Sequence, residues 1–506
     1  MTNSQVNPEW VRTFDIKNGT GDSGSDLAID NAGNIFLVGT SDGYAIVMKY
    51  SPDGNLIWNK RDLVNVSGYC IDLDINGNVY VYGSDGSSQS RIAKYTNNGT
   101  LIWNQLILNS GSNTCDIEVD NNGNLYFLRL LNGCILSKYN SNGNFVWTRQ
   151  FLGSGSSSFS YSVNKSLKID NANNIYVTCT SHNPNTDNDL VNIKYNANGD
   201  SLWTRVFDYQ NGSYENGFCN QLDESSNIYA SCISRIPNNQ YLTIVLKYGT
   251  NGNLLWNSSS GGVLYGATDL IYKNGYVYVN GPFCVSGLGC SPITKYNSNG
   301  TLIWTAYYNE PNPQYFESQF LAVDDFDNLY SIGPYRINST LIDIAGIKYN
   351  SNGFKLWNFK YENLSNGIDF PYDAKINDNK LIVLGQTYNQ PTNSDILLMK
   401  FRSDPIGIIK QDEFIPSKFS LNQNYPNPFN PSTSITFSIP AKEKEEIFLL
   451  QVFDVSGKLI ETLVNKPINP GNYKVDFNAL NLSSGIYFYH LSSNSFSQTR
   501  KMLLVK

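Results

Sequence analysis

The chain has 506 residues, 41% hydrophobic and 16% charged, with Lys+Arg 36 against Asp+Glu 43 for a net charge of −7. That balance excludes a nucleic-acid partner, which needs a basic footprint, and no apolar run reaches the ~20 residues of a membrane-spanning helix. Only 2 His and 4 Met accompany 34 Tyr and 40 Gly, a bias toward turns and strands that, with no long segment at helical spacing, predicts an all-β chain.

The N-terminus, "MTNSQVNPEW", has neither a charged n-region nor an apolar h-region and is not a signal peptide. "EWVRTF" (9–14) reads as a strand without companions. A phrase then recurs at fixed spacing. Lys49-Tyr50 is followed by Gly54 and Trp58, Lys94-Tyr95 by Gly99 and Trp103, and Lys138-Tyr139 by Gly143 and Trp147. Lys194-Tyr195, Lys247-Tyr248, Lys295-Tyr296 and Lys348-Tyr349 lead to Trp203, Trp256, Trp304 and Trp357 in the same way. Each copy predicts a strand, a tight Asn-Gly or Asp-Gly turn and a strand carrying Trp. Upstream of each lies a second hairpin, such as "AIDNAGNIFLVG" (28–39), whose returning strand carries Phe36, Tyr80, Tyr126, Tyr176, Tyr229, Tyr278 or Tyr330.

Four strands in roughly 44–56 residues is the period of a β-propeller blade. The last unit, 371–401, lacks a Trp strand, and "EWVRTF" supplies one. The expected fold over 9–401 is an eight-bladed β-propeller whose N-terminal strand closes the last blade. The Asp-x-x-Gly-Asn-x-Tyr and Lys-Tyr-x-x-x-Gly-x-x-x-Trp phrases make the region resemble the SBBP-type repeats of bacterial secreted proteins. The sixth unit departs by lacking the Asp, and the eighth by carrying Asn377 and Phe401.

Chemistry is sparse in this region. It holds one histidine, His182, and no nucleophile elbow or phosphate loop. Asp26, Asp116, Asp269 and Asp373 fall at equivalent places on innermost strands. Paired carboxylates there suit glycoside hydrolysis, whereas repetition suits a structural hydrogen bond. "DLDING" (72–77) opens like a calcium loop but has Gly83 where the bidentate Glu belongs. No metal site and no cofactor are expected. The eight cysteines show no CxxC pair, so zinc is not expected. Most fall on strands as small buried hydrophobes, and Cys284 and Cys290, in one loop, are the pair placed for a disulfide. Connection lengths vary on one face of the ring only, the kind of face that carries binding loops. Tyr161, Tyr214, Tyr307, Tyr308, Tyr315, Phe316 and Tyr388 concentrate there, suited to stacking on a glycan, gripping a surface protein, or packing the loops themselves.

After Phe401, residues 402–417 read as a linker and 418–506 as a small Ig-like β-sandwich of alternating strands. This block carries Lys+Arg 9 against Asp+Glu 6, the rest of the chain 27 against 37. Asn424, Tyr425, Pro426, Asn427, Pro428 and Phe429 open it, with the three prolines 426, 428 and 431 read as an extended, non-pairing lead-in. Phe453 to Lys458, including Asp454 and Gly457, then Ser484 to Tyr487, including Gly485, then Lys501 to Lys506 follow in order. The ordered set resembles the type A C-terminal sorting domain of type IX secretion cargo. The resemblance implies export through the periplasm, recognition by the type IX translocon and its sorting peptidase, and a signal peptide outside this sequence. The expected protein is a secreted or cell-surface binding or scaffold propeller, not an enzyme. A secreted carbohydrate-active enzyme using the innermost Asp residues and a purely structural surface protein remain the alternatives.

Overall fold

The structure, a computed structural model, describes residues 6–15, 21–108, 115–130, 133–152, 165–183, 187–210, 213–236, 241–262, 269–281, 292–307, 315–336, 342–363, 367–389, 393–401, 409–410, 415–441, 446–479 and 482–505. Among these there is no helix, and every named strand belongs to an antiparallel sheet. The chain divides into two compact units, one of Asn7–Arg402 and one built on Ser403–Lys506.

The first unit repeats one sheet. Strands Asp22–Ile29, Ile35–Ser41, Tyr44–Tyr50 and Leu56–Val64 pair in chain order as an up-and-down meander, and the next six units follow the same order. The seventh splits its first strand into Tyr315–Phe316 and Phe320–Val323. The eighth takes three strands from Phe370–Phe401, and its fourth is Trp10–Phe14, aligned from Trp10 opposite Lys400 to Phe14 opposite Ile396. An all-β chain of repeated four-stranded sheets fits a propeller.

Each repeated residue has one mechanical task. The Lys-Tyr step is a bulge that sets Lys opposite Trp on the fourth strand, as in Lys194↔Trp203. The following Gly turns the chain at positive φ and lies against the previous sheet's indole. A Cβ on Gly54, Gly99, Gly143, Gly199, Gly252, Gly300 or Gly353 would come within 2.7–3.0 Å of the ring of Trp10, Trp58, Trp103, Trp147, Trp203, Trp256 or Trp304 respectively. The same indoles donate Nε1–H across the gap, Trp203 to the Thr250 carbonyl at 3.0 Å and Trp304 to that of Ser351 at 2.9 Å. Lys194 and Lys295 reach the same two carbonyls at 3.3 and 3.2 Å. Within its own sheet each of these lysines lies over the unit's aromatic ring, Lys194 being 4.8 Å from the Tyr176 centroid, and Trp meets that ring edge-on. Trp357 differs. Four residues after Phe401 the sequence has Pro405 where the other copies have Gly; the indole stacks on Phe401, and its Nε1 has no hydrogen-bond partner.

The upstream aspartates close their own hairpins. In Asp30, Asp74, Asp120, Asp170, Asp223 and Asp324, Oδ1 accepts the amides two and four residues ahead at 2.8–3.0 Å. Oδ2 accepts the side-chain amide of the Asn four residues ahead. These are Asx turns, and Asp74 is fully engaged in one. Cys134, Cys179, Cys219 and Cys232 are buried thiols outside any disulfide, but Cys70 is disulfide-bonded, which the spacing did not reveal. Cys284 and Cys290 lie outside the described residues.

In the second unit, two four-stranded sheets share one core that includes Phe429, Phe437, Phe448, Tyr489 and Met502. Ile409–Lys410, placed in a linker by sequence, pairs as an edge strand with Tyr473 and Lys474.

All eight tryptophans belong to the first unit, so their fluorescence reports its unfolding alone. Trp203→Ala should cost about 3–5 kcal/mol, as large core truncations do. Val206→Ala, on the same strand but 58% exposed, should stay within about 0.5 kcal/mol of the parent. Equal shifts in the denaturation midpoint would remove the indole from its role as the inter-sheet fastener.

Candidate functional site

Register places Asp26, Asp116 and Asp373 at equivalent positions, opposite Val38, Leu128 and Leu384, and Asp269 opposite Asn280 joins them. Each reaches sideways to the next sheet's first strand. Asp26 accepts the Ile71 amide at 2.9 Å, Asp116 that of Leu167 at 2.8 Å, Asp269 that of Leu321 at 2.9 Å and Asp373 that of Leu27 at 3.4 Å. Asp72, read in the sequence only as the opening of the calcium-like "DLDING" phrase, makes the same bond to Val119 at 2.8 Å.

Lysines missed by sequence reading complete the centre. Lys165, from the start of the fourth sheet, lies 2.6 Å from Asp269 of the sixth and 4.0 Å from Asp373 of the eighth. Only convergence of the first strands on one centre allows that. Lys168 pairs with Glu118, and Lys375 lies 3.7 Å from Asp373. Near Lys165 the carboxylates outweigh burial and hold the ammonium above its usual range. Acids still outnumber lysines here, and burial pushes Asp26 up to about 7, Asp72 to about 8 and Asp116 to about 7. Asp373 adds to the effect on Asp26, with which it shares a hydrogen bond, while Lys375 opposes it.

A second acidic group, absent from the sequence reading, lies between the fourth and fifth sheets. Asp189, Asp208 and Glu215 each bring one oxygen within 4.8 Å of the others. They are 19 and 7 residues apart on three strands or strand ends, so only sheet register brings them together.

On the variable face, Tyr307 is 49% exposed, whereas Tyr214 and Tyr388 are half-buried. Phe316 is not available to a ligand: it is 1% exposed and packs in the core between the sixth and seventh sheets. The side chain of Tyr315, together with Tyr161 and Tyr308, lies outside the described residues.

In the C-terminal unit the phrases separated in sequence meet. Tyr425 pairs with Ser434 through both backbone bonds at 2.9 Å, so the proline-rich segment is not the non-pairing lead-in its composition suggests. Phe429 N–H donates to Leu503 O at 3.0 Å, and Asn427 Oδ1 accepts the Leu503 amide at 2.9 Å. Asn424 is buried, donates its amide to Tyr489 Oη at 2.8 Å, and holds Thr433 and the Pro426 carbonyl with its side chain. Asp454 caps the turn through Gly457, pairs across strands with Tyr487, and Gly485 pairs with Leu504. Lys501 pairs with Phe488, and Lys506 lies outside the described residues.

The family model of the secretion system C-terminal sorting domain matches residues 423–506. The tail supports type IX secretion, to the cell surface or the extracellular space. No curated protein matches the chain. Among solved structures it is similar to Sqt1 from Chaetomium thermophilum, at 10% identity over 78% of this chain and 99% of that one, TM-score 0.47. It is also similar to polysaccharide lyase Uly1, at 11% identity over 79% of this chain and 100% of that one, TM-score 0.43. A third is the uncharacterized protein lmo1340 from Listeria monocytogenes EGD-e, at 9% identity over 69% and 98%, TM-score 0.40. Likeness this distant carries no argument about activity. No helix among the described residues is long and apolar enough to cross a membrane.

The raised carboxyls set a pH dependence. Asp26, Asp72 and Asp116 keep protons in the folded chain that the unfolded chain releases above about pH 4. Stability should therefore fall as pH rises from about 4 through 8. Asp26→Asn with Asp72→Asn and Asp116→Asn should flatten that fall, read as the denaturation midpoint at pH 5.5 and 8.5. An unchanged slope would mean that these groups are ionised in the folded state.

Proposed function

We propose that the chain is a secreted or cell-surface binding or scaffold protein: an eight-bladed propeller of SBBP-type repeats, closed by Trp10–Phe14, carried out by an Ig-like sorting domain. One observation carries the binding part. The residues that repeat are already engaged, the Asx-turn aspartates in closing their own hairpins and the Trp–Gly pairs in joining neighbouring sheets. The surface left to differ between units is the variable-loop face, where Tyr307 stands exposed. A ring of sheets is then a rigid mount and the loops its working surface. Glycans and surface proteins are the two partner classes such aromatic loops suit. The export part rests on the matched tail, whose signature residues Asn424 to Phe429, Asp454, Gly457, Gly485, Tyr487 and Lys501 support contact with the type IX translocon and sorting peptidase.

A second reading, a carbohydrate-active enzyme, draws on the hydrogen-bonded Asp26–Asp373 pair with its raised proton affinity. Against it, both carboxylates accept backbone amides of neighbouring sheets.

Three experiments test these readings. A glycan and surface-protein binding screen of the secreted protein should return a ligand whose affinity falls about tenfold or more in Tyr307→Ala; binding unaffected by changes on the loop face would locate the site elsewhere. A polysaccharide panel should show no turnover, and cleavage lost in Asp26→Asn would establish the enzyme instead. Deleting 418–506 from the full precursor should leave the propeller in the periplasm, and normal secretion of that deletion would refute the sorting role.

A further inference from the structure

Three acids meet where the fourth sheet joins the fifth, on the variable-loop face. Asp189 stands on the third strand of its sheet, one step beyond the Leu190↔Phe207 pair and so opposite Asp208. Glu215 comes from the fifth sheet's first strand, opposite Ser234. Glu215 is 0% exposed and Asp189 2%. Ser213 and Ser234 each donate a hydroxyl to Glu215 Oε1 at 2.6 Å, and Oε2 of the same carboxylate has no hydrogen-bond partner. A buried carboxylate oxygen without a partner costs free energy, and two further carboxylates nearby raise that cost.

The three acidic positions recur by register, although among the described residues only Asp189, Asp208 and Glu215 bring their oxygens within 4.8 Å of one another. Between the seventh and eighth sheets the same three positions hold Asp343, Glu362 and Asp369, with Ile344↔Tyr361 setting Asp343 opposite Glu362. Asp343 is 6% exposed, and its Oδ2 has no hydrogen-bond partner. Between the eighth and first sheets they hold Asp395, Asp15 and Asp22, set by Ile396↔Phe14 and Asp22↔Ser41. At other junctions the paired positions are Tyr44 and Val64, Gln89 and Leu108, or Leu242 and Gly261. At the junctions compared, acids occupy both paired positions or neither. A structural hydrogen bond would not require three like charges to appear together. A shared cation would.

We propose that Asp189, Asp208 and Glu215 form a calcium site at the junction of the fourth and fifth sheets. The donors are all hard oxygens, with no imidazole or thiolate in the group, which suits calcium over zinc. Oxygens within 4.8 Å of one another can all lie near 2.4 Å from one ion. Calcium there ties the end of one sheet to the start of the next at the base of the variable loops, in an exterior where calcium is plentiful.

The test uses the secreted full chain, stripped with chelator and desalted, then titrated with calcium chloride by calorimetry up to about 5 mM, above the affinities of extracellular calcium modules. Calcium should bind, magnesium at equal concentration should not, and Asp208→Asn should lose one calcium equivalent while its far-ultraviolet dichroism stays that of the parent. No calcium uptake by the folded parent would overturn the proposal, whatever the variants do. So would an Asp208→Asn protein that keeps the parent's full stoichiometry.

Discussion

An indole laid on a glycine of the next sheet is the contact on which this fold depends. Each four-stranded sheet has two apolar faces and cannot satisfy both alone. The Trp–Gly contact fixes how closely neighbouring sheets approach, because any side chain at the glycine would collide with the ring. It also fixes their register, because the indole N–H and the lysine ammonium meet one carbonyl of the neighbouring turn. Trp10 makes this contact from the eighth sheet to Gly54 of the first. The strand farthest upstream in the sequence thereby joins the two terminal sheets of the unit.

Once spacing is set at the outer strands, the first strands are driven together at the centre. There the same geometry that packs the sheets creates an electrostatic problem. Carboxylates at equivalent positions face one another, and the structure answers with amide donors from the neighbouring sheet, with Lys165, Lys168 and Lys375, and with retained protons. None of the three lysines belongs to the repeated Lys-Tyr phrase. Repetition built the sheets, and departures from repetition neutralised their meeting point. The acidic junctions on the loop face are departures of the same kind, confined to particular seams between sheets.

The C-terminal unit shows how a signature scattered over about eighty residues becomes one surface. The proline-rich segment binds the last strand through Phe429 and Asn427, and that strand pairs with the one carrying Gly485 and Tyr487. Tyr425 is held by backbone pairing yet is 82% exposed. A receptor reading this face meets rigidly held side chains, with little ordering entropy left to lose on binding.

The sequence by itself determined the strand class, the four-strand repeat and the sorting tail. These are local: period-two alternation, Asn-Gly turns and fixed spacings depend on neighbours within a few residues. Repetition in the sequence also marks Asp26, Asp116, Asp269 and Asp373 as equivalent positions. Only the tertiary structure decided what those acids touch, that Phe316 is core, that Cys70 is oxidised, and that the proline-rich phrase pairs with the chain's last strand. It alone assembled Lys165 with Asp269 and Asp373, and Asp189 with Asp208 and Glu215. Contacts between sheets join residues tens to hundreds of positions apart, and no local pattern encodes which of them will meet.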